Sequence, residues 1–405
     1  MFVKSQDGEA DMKKNTFLKF IKRIAVGLLT IVLLLIGIIL ITWHNELLTV
    51  FSLKQLNSAD DSHNDGAVYS MTVYGDFYFD KLIEQGGVKS DSELISFITS
   101  NITKGIIPMN IENSNIGCSS FTAQLENGDR IFGRNYDFSK TNTMIVTCNP
   151  GGGRHSSIST VDLQFISINT DSGIDGIVDR ILCLAAPFVP LDGINDAGVS
   201  CGIYMTYQGK ETCATDINTE KPDITSTTML RMILDYADSV DEAIALVSQY
   251  DMHDSANTSY HYMVADATGK SAILEWIAGT DDTDNDGSAR QLVVTYNDPE
   301  KDMNYQVVTN HIVADGYYDG VAEEEKKGVD RFEIIEEQLA GTEAVLAGEG
   351  DAMNILKSVG RRLLNGDDSN GITVHSVVYN LTERTATWVG NEHFDEESYT
   401  YRLKV

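Results

Sequence analysis

The 405-residue sequence predicts an α+β fold preceded by a single membrane-spanning helix, and three observations carry that reading. Runs alternating apolar and polar residues come in pairs around turn dipeptides, the pattern of β-hairpins. Between the pairs lie stretches with apolar residues every three or four positions, the period of a helix. Ahead of both stands one long uncharged run. Hairpins separated by helices imply antiparallel sheets covered by helices. With 42% hydrophobic residues and only 6 prolines, the chain has the means to bury a large core.

The uncharged run is residues 24–43, IAVGLLTIVLLLIGIILITW. As a helix it spans roughly 30 Å at ~1.5 Å per residue, the hydrocarbon thickness of a bilayer. Lys4, Lys13, Lys14, Lys19, Lys22 and Arg23 precede it, so residues 1–23 read as a cytoplasmic tail and the bulk of the chain as extracytoplasmic. A cleaved signal peptide competes with this reading, but the run exceeds the roughly 7–15 residues of a signal core, and Trp43-His44-Asn45-Glu46 has no small-residue cleavage site. Beyond the run, 24 basic and 57 acidic residues leave a net charge of about −33. Such a charge excludes nucleic acid as a partner and leaves the membrane contact to residues 24–43.

Residues 44–117 read as a linker and pro-segment. Ser58 to Gly66 is polar and turn-rich, and a short ordered segment follows over roughly 68–112, where Ser90-Asp-Ser-Glu93 resembles a helix entry with a capping box. From residue 118 to 405 the pattern is that of one catalytic domain. A hairpin over 118–138 turns at Asn127-Gly128, a second over 260–276 turns at Thr268-Gly269, and a third lies at 375–390. Helices are expected over 226–249, 328–346 and near 352–364.

The five cysteines, at 118, 148, 183, 201 and 213, have neither metal-ligand spacing nor the density of a disulfide scaffold. Asp282 to Gly287 imitates the first half of a calcium loop, but position twelve is Val293 rather than Glu. No metal and no cofactor are expected. Asn101, Asn257 and Asn380 open N-x-S/T sequons.

The chemistry-bearing residues come in a fixed order: Gly117-Cys118, the first hairpin, then Gly133-Arg134-Asn135-Tyr136-Asp137-Phe138 on its return strand. Asp192-Gly-Ile-Asn-Asp-Ala-Gly-Val-Ser-Cys-Gly-Ile-Tyr204 follows, then Val307-Val-Thr-Asn310-His311 and Asp330-Arg331-Phe332. In this order the sequence resembles the N-terminal-nucleophile hydrolases of the choloylglycine hydrolase and penicillin V acylase group, and equally the acyl-CoA:isopenicillin N acyltransferase branch. The resemblance covers about 118–405 and implies a four-layer αββα sandwich whose mature chain begins with the nucleophile. It implies Cys118 as nucleophile, Arg134 and Asp137 flanking it, Tyr204 in the oxyanion hole through its backbone N–H, Asn310 as donor to the oxyanion, and Arg331 stabilising the site. Tyr204 and the long region before Cys118 both depart from the bile-salt hydrolases.

The logic also stands on the residues themselves. A free thiol ionises at about pH 8.5, and an α-amino group titrates near about 7.7–8.0, so the amine of an N-terminal cysteine accepts the thiol's proton near neutrality. One residue is then both nucleophile and base, provided that it is freed from Gly117. The thiol itself reaches the preceding carbonyl, and a glycine there permits the strained backbone that the attack requires.

Taken singly, each residue also has a plainer reading: Cys118 as an inert buried thiol, Arg134 and Asp137 as a strand pair, Asn310 as a turn residue, Tyr204 as a core aromatic, Arg331 as a solvated helix residue. His261 and Glu275, which bracket the second hairpin, read as structural, and nothing requires His311 at a pocket. The order of the segments favours function. The expectation is a membrane-anchored precursor that cuts itself at Gly117-Cys118 and cleaves a linear, non-peptide amide of a small molecule through an acyl-thioester. The alternatives are an acyltransferase using the same thioester and an unprocessed, non-enzymatic binding domain. Cleavage would separate the catalytic chain from its anchor, making activation and release one event unless residues 44–117 hold the product. A homo-oligomer is left open.

Overall fold

The computed structural model describes residues 6–102, 117–206, 220–256, 258–278, 290–297, 304–319, 326–367 and 371–405. The calcium-like loop, Cys213 and Asn257 lie outside these residues. The chain forms two units, Met1–Leu48 and Thr49–Val405. The first is essentially helix α1 (Gln6–Thr42), whose stretch Met12–Thr42 is long and apolar enough to cross a bilayer.

In the second unit the strands run β1 (Lys54–Asn57), β2 (Val68–Tyr74), β3 (Gly117–Leu125), β4 (Arg130–Phe138), β5 (Thr143–Asn149), β6 (Ser157–Asp162), β7 (Asp192–Asn195), β8 (Ser200–Thr206) and β9 (Asp223–Thr225). They continue as β10 (Asp251–His253), β11 (Ser259–Ala265), β12 (Ser271–Ala278), β13 (Arg290–Asn297), β14 (Val307–Val308), β15 (Val345–Leu346), β16 (Ile372–Asn380), β17 (Thr385–Gly390) and β18 (Thr400–Lys404). The helices are α2 (His44–Ser52), α3 (Phe79–Glu84), α4 (Asp91–Asn101), α5 (Gly176–Leu182), α6 (Ser226–Tyr236), α7 (Val240–Val247), α8 (Val329–Gly341), α9 (Glu349–Ser358) and α10 (Arg361–Asn365).

Two sheets dominate. One has the order β1-β2-β5-β6-β7-β8-β11-β12-β13; the other has the order β14-β3-β4-β16-β17-β18, with β15 also paired to β3. Strand alternation sorts their side chains into layers. From β3, β4 and β16, Cys118, Phe132, Tyr136 and Tyr379 face Ile158, Ile194 and Ile203 of the nine-stranded sheet in one core. The intervening residues Phe121, Ala123, Ile131 and Val378 face outward and pack under Ile335 and Leu339 of α8 and Ile355 and Leu356 of α9. On the far side of the other sheet, α6 lies against β7 and β8, and its Arg231 reaches Ser157 at 2.7 Å. The sequence of layers is therefore helix, sheet, sheet, helix, as the resemblance implies.

The three expected hairpins are β3–β4, β11–β12 and β16–β17, and Gly128 and Gly269 take the left-handed turn conformation, at φ +93° and +91°. The capping box at Ser90 holds in part: its hydroxyl accepts the Glu93 N–H, while Glu93 turns back to the N–H of Lys89 rather than Ser90. The long helices are shorter than the periodicity suggests. Residues 226–249 break into α6 and α7 because Ser239 starts a new helix by capping Glu242 N–H. The 328–346 helix stops at Gly341, and the 352–364 stretch begins at Glu349 and breaks at Ser358.

The region ahead of Cys118 differs more. Residues 54–57 and 68–74, within the expected linker and pro-segment, are two strands of the nine-stranded sheet, and β2 runs parallel to β5 over seven residue pairs. Ser58 to Gly66 is not a free linker. Asp60 and Asp65 bridge it into a closed turn, and the fully buried Asp65 is paired with Arg362 and with His393 at 2.8 Å.

Candidate active site

Cys118 is the second residue of β3, between β4 and β14, and its side chain is fully buried. Its thiol points between the sheets. Nη2 of Arg134, on β4, lies 3.5 Å from Sγ and donates at 2.7 Å to the Ile203 carbonyl, which is itself 3.7 Å from Sγ. Arg134 is aimed by Asp192 of β7, which accepts from its Nε at 3.0 Å. Asp192 also takes His375 Nε2 at 2.8 Å and the Tyr379 hydroxyl at 2.6 Å. Burial works against this carboxylate's charge, but His375, Arg134 and the Tyr379 hydroxyl outweigh it and hold its pKa at about 2. The Tyr204 ring lies under the guanidinium at 4.4 Å, with its hydroxyl donating to Ser120 at 2.6 Å. Nη1 of Arg134 is buried and has no hydrogen-bond partner among the described residues.

The main chain of Cys118 meets a different set of groups. Its N–H donates to Asn310 Oδ1 at 3.1 Å, and its carbonyl accepts from Arg331 Nη1. Arg331 also donates to Asp137 Oδ2 at 3.0 Å and, through Nη2, to Asn310 Oδ1 at 2.6 Å. Asn310 Nδ2 donates to the Met205 carbonyl at 2.7 Å, and the Thr373 hydroxyl donates to Asp137 Oδ1 at 2.7 Å. Gly117 sits opposite Asp137 across the hairpin, and a Cβ on it would lie 2.9 Å from the Asp137 Cβ. A side chain there would have to push the Asp137 side chain aside.

All six expected residues, Cys118, Arg134, Asp137, Tyr204, Asn310 and Arg331, thus fall in one connected network, with Gly117 at its edge. Arg331 is not solvated at a helix start: it is 4% exposed and bridges three of the others. His311 turns towards Thr309 and the Lys327 carbonyl, and its pKa is lowered by burial. Sequence reasoning gave no role to Asp192, His375, Ser120 or Thr373. Asp192 opens the quoted segment before Tyr204, but its pairing with Arg134 crosses from one sheet to the other, which no local signal reveals.

In the uncut chain, burial pushes the Cys118 thiol up, Asp137 adds to this, and Arg134 and Arg331 pull the other way. Next to it is a small apolar cavity of about 30 Å³, lined by Tyr136, Phe165, Leu191, Ile203, Met205 and Tyr260 among others. Tyr136 is the cross-strand partner of Cys118, and Ile203 supplies the carbonyl beside Sγ, so the cavity adjoins the thiol. Among the described residues no group of three or more His, Cys, Asp or Glu is placed to hold a metal ion.

Residues 118–308 match the family model of linear amide C–N hydrolases, choloylglycine hydrolase family. The match begins at Cys118. No curated protein matches the chain. Among solved structures, similarity extends to a penicillin V acylase from Agrobacterium tumefaciens, at 17% identity over 67% of this chain and 83% of that chain, TM-score 0.43. It extends also to a mutant conjugated bile acid hydrolase from Clostridium perfringens, at 16% identity over 71% and 92%, TM-score 0.47. A third is the Caenorhabditis elegans ortholog of N-acylethanolamine-hydrolyzing acid amidase, at 17% identity over 65% and 93%, TM-score 0.40.

Proposed function

We propose, from the premise that residues 118–308 are a choloylglycine-hydrolase-family segment and that the enzyme class is hydrolysis of linear, non-peptide C–N amides, that the chain is the precursor of an N-terminal cysteine amidohydrolase. The observation that carries this reading is the double environment of Cys118, with an arginine at its thiol and a separate polar set at its main-chain nitrogen.

Processing starts when Sγ attacks the Gly117 carbonyl. The C–N bond to Cys118 breaks, Gly117 passes to sulfur as a thioester, and water hydrolyses it to a Gly117 carboxylate and a free Cys118 amine. In turnover that amine takes the thiol proton, and the thiolate attacks the substrate's amide carbon. Asn310 and Tyr204 serve the oxyanion, a role worth about 2.7–4 kcal/mol per donor. The Cys118 ammonium returns its proton to the leaving amine, and water then releases the acyl group as a carboxylic acid. Asp137 and Arg331 hold the amine and the Cys118 carbonyl in register, and Arg134 favours the thiolate. The apolar lining beside the thiol suits an apolar acyl group, for which the small cavity would have to widen.

Helix α1 anchors the precursor, with residues 1–23 cytoplasmic and the catalytic unit extracytoplasmic. Cleavage opens the chain without releasing it. The piece ahead of Cys118 keeps β2 hydrogen-bonded to β5, Asp65 paired to Arg362 and His393, and Phe79, Leu82, Leu94 and Ile98 in the shared core. Each such side chain contributes about 1.5–3 kcal/mol. The mature enzyme is then a two-piece molecule still tied to the membrane, and the two pieces should co-elute in detergent. A catalytic piece eluting alone would contradict retention.

The test of the activity is a screen of N-acyl amino acids, penicillin V and conjugated bile salts with wild type and Cys118→Ala. Hydrolysis that disappears in Cys118→Ala supports the reading, and undiminished hydrolysis sinks it. Acyl transfer to an added amine in place of acid release would mark the acyltransferase alternative.

A further inference from the structure

The second hairpin carries a buried pair that none of these steps uses. His261 on β11 lies across from Glu275 on β12 and, on its other edge, from Tyr204 on β8. Both side chains are fully buried. Nδ1 of His261 is 2.8 Å from Glu275 Oε1, and Nε2 is 2.9 Å from the carbonyl oxygen of Thr309. Glu275 reaches onward to the same segment: Oε1 accepts the N–H of Val313 and Oε2 that of Ala314, each at 2.9 Å. The imidazole and Tyr204 rings meet edge to face, 5.7 Å apart.

One imidazole and one carboxylate thus grip residues 309–314 at both ends, with Asn310 inside the grip. The Thr309 carbonyl can only accept, so Nε2 carries a proton. Both Glu275 oxygens accept backbone N–H groups, and Oε1 also faces Nδ1. A pair that served the hairpin alone would have no reason to reach a third element whose next residue holds the N–H of the nucleophile.

We propose that His261 and Glu275 are positioning residues that set Asn310, and through the edge contact Tyr204, for cleavage of the substrate amide; the proposal rests on the reading of Cys118 as nucleophile. The pair touches neither the thiol nor the apolar cavity's contents, so its loss should register in kcat and leave KM nearly alone.

The experiment compares full-length wild type, Cys118→Ala, His261→Ala, His261→Gln and Glu275→Gln on the linear amide that the wild type hydrolyses fastest, with melting temperatures measured in parallel. His261→Ala is expected to lower kcat about 100-fold, the scale of a misplaced oxyanion donor, with KM changed less than about threefold. His261→Gln should regain about tenfold, because its side-chain amide still donates towards the Thr309 carbonyl. Glu275→Gln should lose kcat as His261→Ala does, since its amide turns a donor towards Val313 or Ala314 N–H. A loss confined to KM, or a kcat for His261→Ala within threefold of wild type, overturns the proposal. So does a His261→Gln no better than His261→Ala at equal melting temperature. If His261→Ala does not fold, His261→Gln and Glu275→Gln decide: unchanged kcat in both overturns it. Cys118→Ala separates the two claims. Activity surviving there overturns the amidase reading and this proposal with it, whereas loss in Cys118→Ala beside full activity in the His261 and Glu275 variants overturns this proposal alone.

Discussion

The two sides of Cys118 differ in what they can do. On the thiol side, between the sheets, one cation stands at sulfur, balanced by Asp192 behind it and bordered by an aromatic ring and an apolar cavity. On the main-chain side, under α8, a cation, a carboxylate and an amide surround the N–H and carbonyl, with no cavity against them among those described. An N-terminal nucleophile must be both attacking atom and base. In the proposed mechanism those tasks separate in space, with substrate and thiolate on the inner side and the amine and its orientation on the outer side.

Breaking each side in turn sharpens the difference. The largest effect is expected from Arg134→Gln, which removes the cation at sulfur and should lower kcat about 10²–10³-fold, the scale of an electrostatic stabiliser in a dry site, with the mature N-terminus still forming slowly. Asn310→Ala removes the acceptor of the Cys118 N–H on the other side. It should slow both cleavage at Gly117 and turnover, each about 10²-fold, read by the fraction of uncut chain and by kcat.

Asp192→Asn touches neither the thiol nor the main chain and should act through Arg134. Stripping a buried cation of its carboxylate costs about 3–5 kcal/mol, which urea unfolding of the detergent-solubilised chain would report. The same pair sets the smallest effect, an acid limb. The folded pKa of Asp192 is depressed to about 2 from an ordinary 3.8, so its contribution is present above the ordinary value and is lost as pH falls through about 2. Stability measured between pH 5 and pH 2 should fall more steeply for wild type than for Asp192→Asn.

How much of this was legible in the sequence follows the range of the interactions. The β3–β4 hairpin is local, and Asn127-Gly128 announces it, which also places Arg134 and Asp137 beside Cys118. Tyr204, Asn310 and Arg331 could be matched only through the order of their segments; that Asn310 takes the Cys118 N–H and gives its own to Met205 needed the fold. Asp192 was out of reach, because its partner Arg134 lies on the other sheet; His261 and Glu275 were legible as the ends of a hairpin, but their hold on residues 309–314 was not. The strands at 54–57 and 68–74 were missed for the same reason: β2 pairs in parallel with a strand some seventy-five residues on, and Val68 to Tyr74 alone carries no turn signal.

The most direct test is the mass and N-terminal residue of the active full-length preparation. The account predicts a catalytic piece that begins at Cys118 and an anchored piece that ends at Gly117, both present in the active fraction. An active preparation consisting of the intact 405-residue chain would contradict it.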